Sequence, residues 1–173
     1  MKRVVSWWVL STIPVLALGA GASPDASFFK SAAEGGISEV NDGTLAQQKG
    51  ASQAVKDFGA MMVKDHSAAN DKLKAIAAQE DVSLPSSASA MQMATHAKLD
   101  MMSGETFDKA YIRGQIKAHQ ATAALFQKEI ASGQDEKAKQ FATSTLPVVK
   151  SHLKAIMQIA TNAGISFDAL PSA

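Results

Sequence analysis

The sequence predicts an all-α fold: four long helices in two antiparallel pairs, with a short extra helix in the crossover between the pairs. Two observations carry this. Alanine and other strong helix formers are abundant, while aromatic residues are few and β-branched runs are short. Apolar residues also recur at steps of three and four through four long segments, which is the period of one helical face.

Residues 1–22 read as an export signal. Lys2 and Arg3 form a basic start, Val4 to Leu18 is largely apolar, and Ala20-Gly21-Ala22 supplies the small residues of a cleavage site, with cleavage after Ala22. The apolar stretch is shorter than the ~20 residues of a full span, and Pro14 interrupts it, so a retained anchor is disfavoured. The expected location is the periplasm. Cleavage removes two basic residues and no acidic one, turning the formal +1 of the full chain into −1. The mature chain then has no basic block for nucleic acid and no second transmembrane span. It has no cysteine, which excludes a lipoprotein anchor, disulfides, thiolate metal sites and a cysteine nucleophile.

Residues 23–164 form the predicted bundle. Asp25 or Ser27 caps a first helix that runs to about Lys49. Its face is Phe29, Ala32, Gly36, Glu39, Gly43 and Ala46, small enough for a neighbour to approach closely, and Gly35-Gly36 is a candidate bend. Ser52 caps a second helix to about Gln79, with Val55, Phe58, Met62, His66, Ala69, Leu73 and Ile76 on its seam. The short joint makes these two antiparallel. Residues 79–104 are a long connection in which Ala88 to Met102 reads as a crossover helix, capped by Ser86 or Ser87 after Pro85.

The third long helix runs from about Thr106 to Ser132, with Ile112, Ile116, His119, Ala123, Phe126 and Ile130 inward. Gly133 ends it, and Asp135 caps the fourth, which runs to about Asn162. Phe141, Thr145, Val149, His152, Ile156, Ile159 and Ala163 form that last seam, and Pro147 predicts a kink or break near residues 143–147. Residues 165–173 read as a flexible tail. Two antiparallel pairs joined by one long crossover have the connectivity of a ferritin-like four-helix bundle.

Each long helix therefore places one chemically active side chain on its apolar seam: Glu39, His66, His119 and His152. A polar group in a core needs a hydrogen-bond partner, and a charged one a counter-charge or a metal. The layer is either a closed hydrogen-bond network or a metal site. Asp65, beside His66, points about 100° away round the helix and is placed to pair with a neighbouring histidine or lysine, or to sit in solvent. Met91, Met93, His96, Met101 and Met102 cluster in the crossover; thioether and imidazole groups suit Cu(I), while methionines also pack readily on a bundle. Tyr111 is placed to bond across to another helix.

Four stretches carry a family resemblance: FFKSAAEGGISEVNDGTLA (28–46), VKDFGAMMVKDHSAANDKL (55–73), FDKAYIRGQIKAHQATAALFQKE (107–129) and TLPVVKSHL (145–153). In order and spacing they resemble a widespread bacterial family of exported proteins of unknown function, placed in the ferritin-like superfamily and often labelled predicted outer-membrane protein. The resemblance implies a periplasmic ferritin-like bundle and no particular activity. Nothing in the chain alternates as the strands of an outer-membrane barrel do. Family members usually carry an acidic residue directly before the third-helix histidine; here it is Ala118, while Asp65 precedes His66 and Ser151 precedes His152.

Ferritin-like di-iron sites take a Glu from each of two helices and Glu-x-x-His from the other two. This chain has no Glu-x-x-His, so di-iron chemistry is disfavoured. The metal reading is one transition metal ion (Zn, Cu or Fe, with Ni also suited to imidazole) held from the set Glu39, Asp65, His66, His119 and His152. No nucleophile-base pair or phosphate-binding loop is present. The leading expectation is a non-enzymatic binding or stress-related protein. The alternatives are a metalloenzyme acting on dioxygen or peroxide, and a structural protein that binds a cell-envelope partner through its outer face.

Overall fold

The computed structural model describes residues 25–167. Helix α1 spans Ala26–Lys49, α2 Gln53–Gln79, α3 Ala90–Asp100, α4 Gly104–Ser132 and α5 Glu136–Asn162. The pairs α1/α2 and α4/α5 pack most extensively, α1 against α4 and α2 against α5 close the bundle, and α3 lies on α1 and α4. The expected all-α bundle and its crossover helix are therefore present. The export signal lies outside the described residues, and no described helix is long and apolar enough to cross a membrane.

The core is two apolar clusters. One gathers Leu45, Phe58, Met62, Phe107, Tyr111 and Ile156, among others; the second gathers Phe28, Phe29, Leu73, Phe126 and Phe141. Along each long helix the polar seam residue falls between the two: Glu39 between Ala33 and Leu45, His66 between Met62 and Leu73, His119 between Ile116 and Phe126, His152 between Ala142 and Leu153. Each fully buried large side chain contributes roughly 1.5–3 kcal/mol by leaving water. These two clusters hold the polar layer between them.

Both ends of the bundle are tied by an acid that sequence reading does not single out for this work. Asp108 of α4 accepts from the N–H groups of Ala51 and Ser52, each at 2.9 Å, and so holds the α1–α2 turn. Asp25, expected to cap α1, makes no side-chain cap bond; it accepts from Gln134 N (2.8 Å) and Asp135 N (2.6 Å), which holds the α4–α5 turn. Ser52 and Asp135 cap α2 and α5 as expected. The α3 cap is Ser89, in a capping box with Gln92, instead of Ser86 or Ser87.

Three local expectations change. Helix α1 runs through Gly35-Gly36 without interruption. Helix α5 runs unbroken through Pro147. Proline frees the carbonyl four residues back, that of Thr143, and both residues are exposed, so water can take the freed acceptor. The expected tail also starts docked: Ile165 is buried, its N–H donates to Ala160 O at 2.9 Å, and Phe167 packs on the same cluster. Residues 168–173 lie outside the described residues.

Glu129, near the end of α4, is buried beside Asp25, and its Oε1 has no partner. Burial first, and then the Asp25 carboxyl, push its pKa up from 4.5 to about 7. A carboxyl raised by folding keeps its proton in the folded chain while the unfolded chain releases it. Its contribution is complete below 4.5 and is lost as pH rises toward about 7. Glu129→Gln keeps the shape and cannot ionise, so it should flatten that decline. Denaturant unfolding between about pH 5 and about pH 8 checks this, and equal slopes for both proteins would refute it.

Candidate metal centre

His66, His119 and His152 meet at the bundle centre. Their ring centroids form a nearly equilateral triangle: 5.8 Å for His66–His119, 5.6 Å for His66–His152 and 5.5 Å for His119–His152. One ring nitrogen from each lies within 4.8 Å of the other two. His119 and His152 are buried, at 1% and 3% exposure, and His66 is partly buried. Phe58 packs edge-on against His119 and His152, at 6.2 and 6.5 Å, and closes the layer on one side.

The protons of two rings are fixed by their partners. His119 Nδ1 is 2.9 Å from the Gln115 carbonyl, one turn back on α4. A carbonyl only accepts, so Nδ1 carries the hydrogen and Nε2 is a bare lone pair. His152 Nε2 is 3.0 Å from Asp65 Oδ2, so Nε2 donates to the carboxylate, and in the neutral ring Nδ1 is the lone pair. His66 Nε2, His119 Nε2 and His152 Nδ1 are all buried without a hydrogen-bond partner. Burial, then the neighbouring rings His119 and His152, lowers the His66 pKa to about 3. Burial lowers that of His119 to about 4, against the opposing Gln115 bond. Both rings are neutral at ordinary pH, which is the form that donates a lone pair.

The two carboxylates stand one step back from this triangle. Asp65 is the outer partner of His152, one of the pairings open to it from its position. Glu39 Oε1 lies 3.9 Å from His119 Nδ1, the outer nitrogen of that ring. Burial first, and Asp42 with it, push the Glu39 carboxyl up to about 8, against a hydrogen bond from Gln115. Among the described residues, the group able to offer converging ligand atoms is the three histidines alone. Gln115 belongs to the layer through both its carbonyl and its side chain. Its place four residues before His119 on the same face is the sequence signal that could have found it.

A small, partly open cavity of about 40 Å³ adjoins His66 and Glu39 and is also lined by Asn70, Thr122 and Thr145. This exceeds the ~10–15 Å³ that one water needs. The crossover methionines do not gather with His96. His96 Nδ1 pairs with Asp42 Oδ1 at 2.6 Å, Met102 packs on the core, and Met91, Met93 and Met101 are exposed. Tyr111 does not make the expected cross-helix bond; its hydroxyl is buried without a partner.

A model of a domain of unknown function, DUF4142, matches residues 13–159 of the chain. No curated protein matches it. Among solved structures, the chain is similar to a DUF305 protein of Streptomyces coelicolor described as secreted, with a TM-score of 0.71 at 11% identity, covering 85% of this chain and 98% of that one. At that identity the likeness is one of fold.

Proposed function

The chain belongs to the DUF4142 family, a domain of unknown function, so its role has to be read from its own site, and we propose that His66, His119 and His152 hold one transition metal ion. The observation that carries this is the set of three buried, partnerless ring nitrogens. A closed hydrogen-bond network is the competing use of such a layer. It does not close here, because two of the three lone pairs have their tautomers fixed from outside and only His66 is free to turn its proton inward. Each buried acceptor left unsatisfied costs about 1–3 kcal/mol; one cation would serve all three.

The donor set fits such an ion. Three neutral imidazoles suit Zn, Cu or Fe. With metal–nitrogen bonds of about 2.0–2.1 Å, the nitrogens of a tetrahedral site stand roughly 3.4 Å apart, so the side chains need close only a little from their present spacing. Asp65 and the Gln115 carbonyl would act as outer partners that hold the rings and raise their basicity. When bound, such an ion supplies Lewis acidity or redox chemistry. Glu39 would be an outer carboxyl beside His119.

The wider reading is an exported binding or stress-related protein, cleaved after Ala22 and working in the periplasm as a bundle of residues 23–164. The basic start, apolar stretch and small residues of 1–22 support export. The long crossover supports a ferritin-like origin. The direct test is elemental analysis of tag-free protein purified from a periplasm, with about one ion per chain expected. Protein that arrives metal-free and takes up no added Zn, Cu or Fe would sink the reading. Asp65→Asn should weaken the ion by roughly 10–100-fold, the usual worth of an outer partner, and a calorimetric titration measures it; unchanged affinity would remove Asp65 from the site.

The small cavity that opens beside His66 favours a second reading, a metalloenzyme acting on dioxygen or peroxide. That reading requires the metal-loaded protein to consume one of them, which an oxygen electrode or a peroxide assay measures directly.

A further inference from the structure

The histidine triangle has two faces, and they differ. On one face the next turn of each histidine-bearing helix is solid: Phe58 and Met62 of α2, Ile116 of α4 and Ile156 of α5 are all buried at 3% exposure or less. On the other face the next turn lines the small cavity. Asn70 stands four residues after His66, Thr122 three after His119, and Val149 three before His152, and all three line it. On α1, Gly36 lines it three residues before Glu39. Residues three and four apart are neighbours on a helix face, so the cavity lies against the triangle on the side opposite Phe58.

The cavity also has a way out. It shares Ser31, Gly35, Thr122 and Leu125 with a larger groove of about 570 Å³ on the α1–α4 seam, where α3 forms part of the wall. Gly35 of α1 and Thr122 of α4 are half-buried, and a Cβ on Gly35 would meet nothing within 4 Å, so the seam is open at that point. Three protein ligands leave a tetrahedral ion a fourth position for a ligand from outside. With Phe58 and its neighbours across one face, that position faces the cavity. We propose that a ligand of two or three heavy atoms with an oxygen or nitrogen donor, of the size of peroxide or azide, enters from the groove between Gly35 and Thr122 and occupies the cavity on the open face of the triangle. The volume of about 40 Å³ is roughly three times the ~10–15 Å³ that one water needs, which sets the size limit. The hydroxyls of Thr122 and Thr145 and the carboxamide of Asn70 give the cavity groups that can hydrogen-bond such a ligand. This entry route rests on the three-histidine reading and adds to it the side of approach.

The test uses the full chain loaded with Co(II), whose visible absorption bands report the ligands around it. Co(II) should give bands in the parent that are lost in His119→Ala. Azide should then shift the parent's bands saturably. Gly35→Phe and Thr122→Leu narrow the route from its two sides and leave the three histidines in place. Each should take up Co(II) with the parent's bands and then bind azide roughly tenfold more slowly in stopped flow, a rise of about 1.4 kcal/mol in the barrier. Gly35→Ala, which replaces the glycine without reaching across the route, should bind azide at the parent's rate. A parent that takes up no Co(II) overturns the metal reading and the entry route together. A parent that holds Co(II) through His119 but ignores azide overturns the entry route alone. So does azide uptake at the parent's rate in both Gly35→Phe and Thr122→Leu.

Discussion

Replacing His119 by alanine is expected to remove the bound ion, not merely to loosen it. The triangle offers three nitrogens, and an ion left with two loses more than the ~10–100-fold that an outer partner is worth. His119 is also the ring held most firmly, buried at 1% exposure and tied to Gln115. The cleanest readout is thermal. An ion that binds only the folded chain stabilises it by about 2.7 kcal/mol at a hundredfold excess over Kd. For a domain of this size that is roughly 2–4 °C of Tm per kcal/mol. The parent protein should therefore gain several degrees on adding metal, and His119→Ala should gain none. Alanine also leaves a hole and lowers the starting Tm, so the quantity to compare is the metal-induced shift within each protein. His152→Ala repeats the test from another helix. A parent with no shift, or a variant that keeps it in full, would falsify the three-histidine site.

The fold was legible because its signals are local. Seams at steps of three and four set four helices, short joints set the antiparallel pairs, and caps such as Ser52 and Asp135 set the starts. Those rules also brought His66, His119 and His152 onto one inward layer. They stop short of saying which group binds and which supports. A seam fixes the face of a helix but not its height against its neighbours to better than about one turn, ~5.4 Å. That is the difference between a carboxyl in the triangle and Glu39 beside the outer nitrogen of His119. Ring orientation is equally hidden, so the fixed tautomers of His119 and His152 appear only with their partners in place.

Contacts between distant segments were invisible for a related reason. Asp25 looks like a cap because it precedes a helix, yet its carboxylate serves two N–H groups at residues 134 and 135. Asp108 serves the turn at residues 51 and 52 in the same way. His96 shared its segment with four methionines, and sequence proximity suggested a common ligand set. Asp42, more than fifty residues away, takes the ring instead. In each case a buried or half-buried polar group found the partner that the packing of two helices supplied, and that packing is not written in the nearby residues.

Gly59→Ala should destabilise the fold, and Gly114→Ala should stabilise it, although both glycines are helical. In a helix interior, alanine is favoured over glycine by roughly 1 kcal/mol through lower backbone entropy. At Gly114 a Cβ meets nothing within 4 Å, so most of that gain should appear. At Gly59 a Cβ would stand 2.6 Å from the Gly43 carbonyl oxygen and 2.8 Å from Ala46 Cβ. The approach is reciprocal, since a Cβ on Gly43 would stand 2.7 Å from the Gly59 carbonyl oxygen. Backbone cannot swing aside as a side chain can, so α1 and α2 must separate. Overpacking of this kind costs typically 1–3 kcal/mol, which outweighs the propensity gain. Chemical denaturation of both variants gives the signs. The displacement also reaches the centre, because α1 carries Glu39 and α2 carries Phe58 and His66. Gly59→Ala should thus lower metal affinity together with stability, whereas Gly114→Ala should raise stability and leave the ion alone. A Gly59→Ala protein as stable as its parent would mean that the α1–α2 contact is slack, and the closeness of these two glycines could no longer explain how the layer is held.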